Sequence, residues 1–492
     1  MSIPTIGDQL TALAAQSPTR PAITCGDDTV TRAELESRAN RLARNYDALG
    51  VRQGDFVSIG LPNGIEFFEA CFAVWKLGAI PQPVPAGIAP HELTQILDLA
   101  SPTLLVGFPD NTTAALPSGI PTVARGFQPD PTLADTPLPS RVSPAWKAPT
   151  SGGSTGRPKL IVAGRSSEID PDSVGSIFRL HRDQVQLIPG PLHHNGPFAA
   201  AMIGLLLGHH LVVQPRFDAT AALRAITKYR VQYVNFVPTM LLRMVRVLDA
   251  DPESFDLSSL ETVWHSAAPC PAWLKQRWIE LVGADRLYEN YGATEAQAVT
   301  VISGTEWLTH RGSVGRAVLG EISIVDDHGR PAPAGEVGQI AVRRPTGTAP
   351  TYHYLGAEPP AGDNGWELVG DLGHLDTEGY LYLADRRTDL ILRGGANIYP
   401  AEVEAAIAEH PQVLSCAVIG LSDEDLGQRV HALVYTGSND LDEPTLRAFV
   451  STRLARYKQP ETYRFVDTPL RDEAGKVRRA ALRAAEQERL TR

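Results

Sequence analysis

Apolar and polar positions in the first part of the chain alternate with the periods of helices and buried strands. Thr31 and Glu34 have the spacing of a capping box, and Gly50 follows the last apolar residue of a helical pattern. The next apolar run, at residues 57–61, predicts a buried strand, and residues 65–77 predict a second helix. Such alternation is typical of a parallel sheet that is covered by helices. The apolar positions of the first helix are Leu35, Ala39, Leu42, Tyr46 and Leu49.

The pattern changes in character further along the chain. Residues 109–144 are rich in Pro, Thr, Ser and Asp and predict a surface excursion without regular structure. A second set of helices and strands is predicted at 183–270, and short β runs separated by Pro and Gly follow it. Near the C-terminus, Pro400 opens a helix that is followed by two strands and another helix. We therefore predict an α/β fold, with a large N-terminal domain of helix-wrapped sheets plus a β subdomain at 1–387 and a small mobile α+β domain at 388–492.

The net charge and the cysteine content indicate which binding partners and which cellular compartment to expect. The formal net charge of −11 argues against nucleic acid as the main partner, because duplex binding needs a positive surface that neutralises phosphates. The four cysteines lie far apart without a CxxC pair, which predicts neither a zinc site nor disulfides and favours a reducing, cytoplasmic setting. No signal-peptide pattern is visible. The most apolar stretch, near 199–213, is interrupted by His209 and His210 and is shorter than the about 20 residues that span a membrane, so we expect no membrane span.

The segment SGGSTGRPK at 151–159 carries the most informative chemistry. Its glycines let backbone amides approach an anion, its hydroxyls add donors and Lys159 adds positive charge, so it predicts a phosphate-binding loop. It is not the P-loop of nucleotide-binding proteins, because that motif contains a Gly-Lys dipeptide. The only such dipeptide in the chain, Gly475-Lys476, lies elsewhere and lacks the upstream glycine and the following Ser or Thr of the motif. The segment also fits the G-x-S-x-G nucleophile elbow of hydrolases, with Ser154 as nucleophile. Its proline opposes that alternative, since it disfavours the helical start that must follow an elbow.

Four more motifs follow this loop in order along the chain. Together with the loop they resemble the acyl-adenylate-forming superfamily, which includes acyl-CoA synthetases, luciferases and peptide-synthetase adenylation domains. The doubled glycine of the loop and the segments after residue 384 are most similar to the bacterial bile-acid and steroid CoA-ligase branch. The resemblance covers the chain from about residue 5 to 485 and implies ATP, Mg²⁺ and coenzyme A as ligands. The motifs are YGATE at 291–295, GDLG at 370–373, DRRTD at 385–389 with RGGANIYP at 393–400, and GK at 475–476.

The resemblance implies a nucleotide site on the large domain. Tyr291 would stack on adenine, Thr294 would hydrogen-bond the α-phosphate, and Glu295 would hold Mg²⁺, which prefers carboxylate and phosphate oxygens. Asp371 would accept both ribose hydroxyls, and Arg386 would reach the ribose or the phosphate. Thr294 and Glu295 therefore also belong to the predicted catalytic set. The other predicted nucleotide-binding residues are Ser151, Gly153, Ser154, Thr155, Gly156, Lys159, Ala267, Ala268, Pro269, Asn290 and Gly292.

The resemblance also implies the acid site and the catalytic lysine. His194, which also belongs to the predicted catalytic set, would line the acyl pocket and contact the carboxylate, with Asn195 and Gly196 beside it. Lys476 would bridge that carboxylate and the α-phosphate, where its charge offsets the repulsion between two anions as the transition state forms. The neighbouring small residues predict a wide pocket and hence a bulky steroid- or terpenoid-like acid. These residues are Gly196, Ala199, Ala200 and Ala201.

A second half-reaction is implied by the glycines near residue 394. The small domain would swing about a hinge near Thr388 and withdraw Lys476. It would then present Arg393, Gly394 and Gly395 to the nucleotide site. Because glycine has no side chain, Gly394 and Gly395 would leave room for a pantetheine thiol. Three positions depart from the family pattern: Gly152 replaces Ser or Thr, Leu160 replaces Gly, and Thr388 replaces Asp or Lys.

We therefore predict a cytoplasmic, AMP-forming acid–thiol ligase that uses ATP, Mg²⁺ and coenzyme A. Its expected partners are a small carboxylic acid and coenzyme A, with no nucleic acid, and a homodimer is left open. The main alternative is an acyl-AMP ligase that delivers its product to a carrier protein or a separate enzyme. A serine hydrolase that uses Ser154 is the alternative from a different class.

Overall fold

The computed structural model describes residues 3–109, 119–152, 158–359, 365–423, 425–437, 440–473 and 475–491. The first elements are α1 Ile6–Gln16, β1 Pro21–Cys25, β2 Asp28–Thr31, α2 Arg32–Ala48, β3 Phe56–Ile59, α3 Ile65–Lys76, β4 Ile80–Pro83, α4 Pro90–Ala100, β5 Leu104–Val106 and β6 Thr122–Val123. The parallel strands β4-β3-β5-β6 form one sheet. The predicted capping box opens α2, where the Thr31 hydroxyl accepts from the Glu34 amide and the Glu34 carboxylate accepts from the Thr31 amide.

The middle of the chain alternates strands and helices as predicted. Its elements are β7 Thr150–Gly152, β8 Pro158–Ala163, α5 Pro171–Phe178, β9 Val185–Ile188, α6 Asn195–Leu206, β10 His210–Val213, α7 Ala219–Tyr229, β11 Tyr233–Phe236, α8 Pro238–Ala250, β12 Thr262–His265, α9 Ala272–Val282, β13 Leu287–Gly292, β14 Val299–Ser303 and α10 Gly304–Thr309. Strands β1, β10, β9, β11, β12 and β13 pair in parallel in that order. The apolar stretch near 199–213 therefore supplies part of α6 and β10 to the core, and no helix among the described residues is long and apolar enough to cross a membrane.

Beyond β13 the same sheet continues with antiparallel strands. These are β14 and five further strands, β15 Ser313–Leu319, β16 Glu321–Val325, β17 Gly338–Arg343, β19 Glu367–Leu375 and β20 Leu381–Arg386. In the described part of the chain the sheet has thirteen strands. Strand β18, Tyr352–Leu355, instead pairs with β8 in a separate sheet ordered β18-β8-β7. Leu160 on β8 stands where the family pattern has glycine. It is buried in a cluster with Leu97, Val162 and other apolar residues, so its side chain fills space in the hydrophobic core.

The last part of the chain has a sheet and a hydrophobic core of its own. Its elements are β21 Ile391–Arg393, β22 Ala396–Ile398, α11 Pro400–Ala408, β23 Ser415–Asp423, β24 Gly427–Tyr435, α12 Glu443–Ser451, β25 Thr462–Phe465 and α13 Arg479–Thr491. Strands β22-β21-β24-β23 pair in that order, and β25 joins β24. We call residues 391–491 the C-terminal lobe and residues 5–386 the N-terminal lobe. The α/β architecture is confirmed, while the predicted domain boundary after residue 387 stays a prediction.

Candidate active site

A tyrosine, an aspartate and an arginine from three strands meet at one edge of the large sheet. The antiparallel register of β19 and β20 sets Asp371 opposite Arg386. The Tyr291 hydroxyl donates to Asp371 Oδ2 at 2.7 Å, and Arg386 Nε lies 3.4 Å from Asp371 Oδ1. Burial raises the pKa of Asp371, although the hydrogen bond from Tyr291 and the charge of Arg386 act in the opposite direction. The structure thus brings these three predicted residues together around one carboxylate.

Glu295 lies in a second polar group, at the end of the YGATE motif. Lys159 Nζ is 3.4 Å from Glu295 Oε1, and the Tyr354 hydroxyl donates to the same oxygen at 2.5 Å. The Lys159 ammonium also lies 3.7 Å from the centroid of the Tyr354 ring. The backbone carbonyl of Glu295 accepts from the Thr351 hydroxyl at 2.7 Å, which fixes the chain at this turn. Among the described residues no hydrogen bond reaches Glu295 Oε2, so this oxygen can serve a cation.

The phosphate-binding loop is bracketed by two paired strands. Residues Gly153, Ser154, Thr155 and Gly156 lie outside the described residues, so their predicted contacts stay predictions. Ser151 belongs to β7 and is the register partner of Lys159 on β8. A hydrolase elbow is followed by a helix, whereas here Pro158–Ala163 is a strand. This order of elements argues against the serine hydrolase alternative.

The small-residue segment HSAAP at 265–269 begins at the end of β12 and holds a strained alanine. By the same resemblance its backbone would face adenine, and we call it the adenine-facing loop. Ala267 has a φ of +72°, and Ala296, directly after Glu295, has a φ of +53°. Alanine in the left-handed region costs about 1–2 kcal/mol, and such strain is concentrated at functional sites. Both alanines follow the carboxyl ends of adjacent parallel strands, β12 and β13, which is where open α/β sheets bind ligands. Asn290 and Gly292 end β13 at the same edge.

His194 is the N-cap residue of α6, and its side chain does not cap the helix. Its ring lies 4.3 Å from that of His193. Burial and the charge of Lys476 lower the pKa of His194 to about 4, so the imidazole is neutral near pH 7. Gly196 is exposed, and a Cβ added there would meet no atom within 4 Å. The prediction that Ala201 lines the pocket is wrong, because helical geometry turns it into the core, where it is 0% exposed.

The catalytic lysine that we predict lies on a tight turn of the C-terminal lobe that contacts the adenine-facing loop. The Asp472 carbonyl accepts from the Gly475 amide at 2.9 Å, and the Asp472 carboxylate accepts from the Lys476 amide at 2.9 Å. Gly475 has a φ of +75°, and a Cβ added there would lie 3.6 Å from the Ala268 Cβ. Because the charge of Lys476 acts on the pKa of His194, the lysine lies within electrostatic reach of the predicted acyl pocket. The structure thus brings Lys476, Ala268 and His194 together across the two lobes.

A buried carboxylate braces this turn. Arg471 donates to the Gly475 carbonyl at 3.0 Å and to Glu404 Oε2 at 2.6 Å. Arg479 donates to Glu404 Oε1 at 2.8 Å and to Asp389 Oδ2 at 2.9 Å, next to the predicted hinge. Glu404 is buried on α11 and also accepts from a backbone amide of β23. The position of Lys476 is therefore tied to the core of the C-terminal lobe.

The predicted thiol passage does not join this group of residues. Arg393 Nε donates to Glu461 at 2.7 Å, and the Gly394 amide donates to the Leu426 carbonyl at 2.8 Å. These partners lie in the C-terminal lobe, and Gly394 and Gly395 are exposed with φ values of 54° and 82°. The structure therefore describes one orientation of the lobes, in which Lys476 rather than residues 393–395 faces the nucleotide residues.

The whole chain is similar to enzymes that activate carboxylic acids. The family model for the AMP-binding enzyme matches residues 10–353, and the model for the AMP-binding enzyme C-terminal domain matches residues 402–476. The chain belongs to the AMP-binding enzyme family. This confirms the resemblance to the adenylate-forming family, while the similarity to the bile-acid and steroid CoA-ligase branch stays a prediction.

Relatives in this family act on different acids. The chain is 32% identical over 481 residues to a feruloyl-CoA synthase from Amycolatopsis sp, covering 96% of each chain. It is 30% identical over 482 residues to the long-chain-fatty-acid–CoA ligase FadD13 from Mycobacterium tuberculosis, covering 93% of each. The structure of the o-succinylbenzoate CoA synthetase from Bacillus subtilis with its acyl-adenylate intermediate has a TM-score of 0.82 and 27% identity, covering 96% of this chain and 97% of that one.

Three features of this AMP-binding enzyme were not found from the motifs. Tyr354 reaches Glu295 only because β18 pairs with β8, although the two segments lie far apart in sequence. The Glu404 brace depends on the packing of α11 against the end of the chain. Lys147 is buried and donates to Asn195 Oδ1. A lysine inside an apolar strand-like stretch, as in AWKAP, is the signal that could have drawn attention to this last residue.

Proposed function

We propose that this enzyme activates a carboxylic acid with ATP, releases pyrophosphate, and transfers the acyl group from acyl-AMP to the thiol of coenzyme A. The single observation that carries the proposal is the position of the Lys476 turn against the adenine-facing loop, within electrostatic range of His194. The activities of the relatives, which are CoA ligases and CoA synthetases, support the same reaction class.

In the first half-reaction, a carboxylate oxygen of the acid attacks the α-phosphorus of ATP. An oxygen–phosphorus bond forms and the bond to pyrophosphate breaks. Lys476 brings positive charge to the two anions, which lowers the cost of their approach. The neutral His194 offers a hydrogen bond without adding a second charge, since its pKa is about 4. Asp371 accepts hydrogen bonds from the ribose, so the nucleotide stays on the N-terminal lobe.

The residues around Glu295 fit a magnesium ion. Glu295 has one oxygen engaged by Lys159 and Tyr354 and one oxygen to which no described residue donates. When bound, magnesium neutralises phosphate charge and is held by carboxylate and phosphate oxygens. A structure of the Bacillus subtilis synthetase, with a TM-score of 0.80, contains ATP and a magnesium ion. These observations support Glu295 as the metal-binding carboxylate.

In the second half-reaction, the thiol sulfur attacks the acyl carbonyl carbon, a thioester forms, and AMP leaves as the thiol proton passes to solvent. We propose that the C-terminal lobe turns about residues near Thr388, which removes Lys476 and brings Arg393, Gly394 and Gly395 to the acyl-adenylate. The exposure of both glycines supports a path for a pantetheine arm. A pantetheine arm on a carrier protein fits the same path, so an acyl-AMP ligase that serves a carrier stays the alternative.

The acid that we propose is bulky, and a steroid- or terpenoid-like acid stays the prediction from the sequence. Exposed Gly196 and half-buried Ala199 and Ala200 at the start of α6 support a wide pocket. The four cysteines are free, which is consistent with the predicted reducing cytoplasm. A homodimer also stays a prediction.

The test is ATP/pyrophosphate exchange across a panel of steroid, aromatic and fatty acids, followed by thioester detection with coenzyme A and with a carrier protein. We expect exchange with at least one acid and a thioester with coenzyme A. Exchange without a coenzyme A thioester, but with acylation of the carrier, would favour the alternative. Absence of exchange with every acid, together with labelling of Ser154 by a phosphonate probe, would contradict the proposal.

A further inference from the structure

Lys147 is a buried lysine whose charge has no carboxylate partner among the described residues. It is 7% exposed. Two other buried lysines provide the comparison: Lys76, 5% exposed, lies 2.8 Å from Glu36, and Lys275, 1% exposed, lies 2.5 Å from Glu289. Buried charges in proteins are normally paired or bind a ligand. Lys147 differs from both lysines in this respect.

The backbone around Lys147 is held firmly. The Lys147 carbonyl accepts from the Ala163 amide at 3.0 Å, and the next amide, that of Ala148, donates to the Pro81 carbonyl at 3.1 Å. The ammonium donates to Asn195 Oδ1 and lies 4.3 Å from the centroid of the Trp146 ring. The side chain is thus directed to the first residue of α6, and two of its three donor hydrogens have no acceptor in the part of the chain that the structure describes.

The start of α6 is an unfavourable place for an unpaired cation. The N-terminus of a helix carries partial positive charge, and the N-cap residue His194 supplies no side-chain oxygen to it. Burial lowers the pKa of Lys147 to about 7. An anion near Asn195 would satisfy the ammonium and the helix N-terminus at the same time.

Asn195 also connects Lys147 to the acyl pocket. In the sequence it directly follows His194, whose pKa the charge of Lys476 lowers, and directly precedes Gly196, which borders open space. We propose that Lys147 and Asn195 form a subsite for a second carboxylate of the acid, so that the preferred substrate is a dicarboxylic acid of which one carboxylate is activated. The inference rests on the proposed function and adds a substrate class to it. Lys147 acts in specificity, while Lys476 acts on the carboxylate that reacts.

The test compares dicarboxylic acids with their monomethyl esters, which keep one carboxylate and the same carbon skeleton. ATP/pyrophosphate exchange is measured with the wild-type enzyme, Lys147→Met and Lys147→Arg. We expect Lys147→Met to lower kcat/KM for the diacid about 10- to 100-fold, mainly through KM, because one hydrogen bond to a charged group is lost. The value for the monoester should change less than about threefold on the same reasoning. Lys147→Arg should keep the preference for the diacid.

A thermal-melting measurement separates this role from a structural one. We expect Lys147→Met to melt at the wild-type temperature or above, because an uncompensated buried charge is removed. A diacid should raise the melting temperature of the wild-type enzyme and not that of Lys147→Met. Equal loss of kcat/KM for diacid and monoester, or a lower melting temperature with no diacid effect on the wild-type enzyme, would overturn the inference. Exchange with monoacids alone would also overturn it and leave the proposed function standing, whereas no exchange with any acid would count against the proposed function itself.

Discussion

The nucleotide-facing residues of the N-terminal lobe and the Lys476 turn of the C-terminal lobe are held in different ways. Asp371 and Arg386 are register partners on adjacent strands, so the sheet itself sets their separation. Lys476 lies on a turn that is fixed by Asp472 and Arg471 and reaches the other lobe by contact with Ala268. The first region is therefore built into the fold, whereas the second depends on the orientation of two lobes. Substitutions in the second region should therefore slow one half-reaction and spare the other, whereas substitutions in the first region should slow both.

The largest separation is expected from Lys476→Ala. Loss of a preorganised charge at a phosphoryl-transfer site costs about 10²–10³-fold or more in rate, so ATP/pyrophosphate exchange should fall at least that far. Thioester formation from synthetic acyl-AMP and coenzyme A should stay within about threefold of the wild-type rate, because only an interaction of the first step is removed. Equal loss of both rates would show that the lysine serves both steps.

Asp371→Asn should impair both half-reactions together. The amide oxygen can still accept from Tyr291, but the charge opposite Arg386 is lost. We expect the KM for ATP to rise about 10- to 100-fold, since hydrogen bonds from the ribose to a charged group are weakened. The rate from synthetic acyl-AMP should fall as well. Asp327→Asn, which removes an exposed partner of Arg387, is the control and should leave both rates unchanged.

Arg471→Gln should weaken adenylation by a smaller factor. The brace between Glu404 and the Gly475 carbonyl is lost, so the turn samples more positions, and we expect exchange to fall about tenfold. Arg471→Lys should recover part of the rate. The matched control is Arg453→Gln, which removes an exposed pair with Glu409 in the same lobe. If Arg471→Gln slows thioester formation from acyl-AMP as strongly as exchange, the brace supports the fold of the lobe rather than the lysine.

The smallest effect is expected from Ala267→Gly, on stability. Glycine adopts the observed φ of +72° without strain, although it adds entropy to the unfolded chain. We expect the unfolding free energy to rise by about 0.5 kcal/mol in urea denaturation. Ala225→Gly, in the middle of α7, should instead lower it by about 1 kcal/mol. A lower stability for Ala267→Gly would mean that the loop carries no strain at this position.

The sequence predicts the residues of this site better than it predicts their contacts. Tyr291, Asp371 and Lys476 lie in short contiguous motifs, so their grouping follows from the resemblance. Tyr354 could not be found in this way, because its contact with Glu295 arises from the pairing of β18 with β8. The burial of Ala201 could not have been found in this way either, because α6 is apolar on all sides and its sequence marks no single face as the one that packs in the core.

The α/β alternation predicted the parallel half of the large sheet for a simple reason. Buried parallel strands and amphipathic helices have distinct periods, and the helix after Thr31 has both of its end signals. The order of strands around β13, where the sheet becomes antiparallel, has no such local signal. The orientation of the lobes is also set by long-range contacts, such as that between Arg246 and the Val413 carbonyl at 2.5 Å.

A cross-link between the lobes tests most directly whether this orientation serves adenylation only. Arg216 and Glu473 approach to 3.4 Å across the lobes, and both side chains are exposed. In a variant with Cys25→Ser and Cys270→Ser, Arg216→Cys and Glu473→Cys can be joined by a short, cleavable bis-maleimide. We predict that the linked enzyme keeps ATP/pyrophosphate exchange and loses thioester formation from acyl-AMP until the linker is cleaved. Full thioester formation by the linked enzyme, or loss of exchange that cleavage restores, would contradict the account.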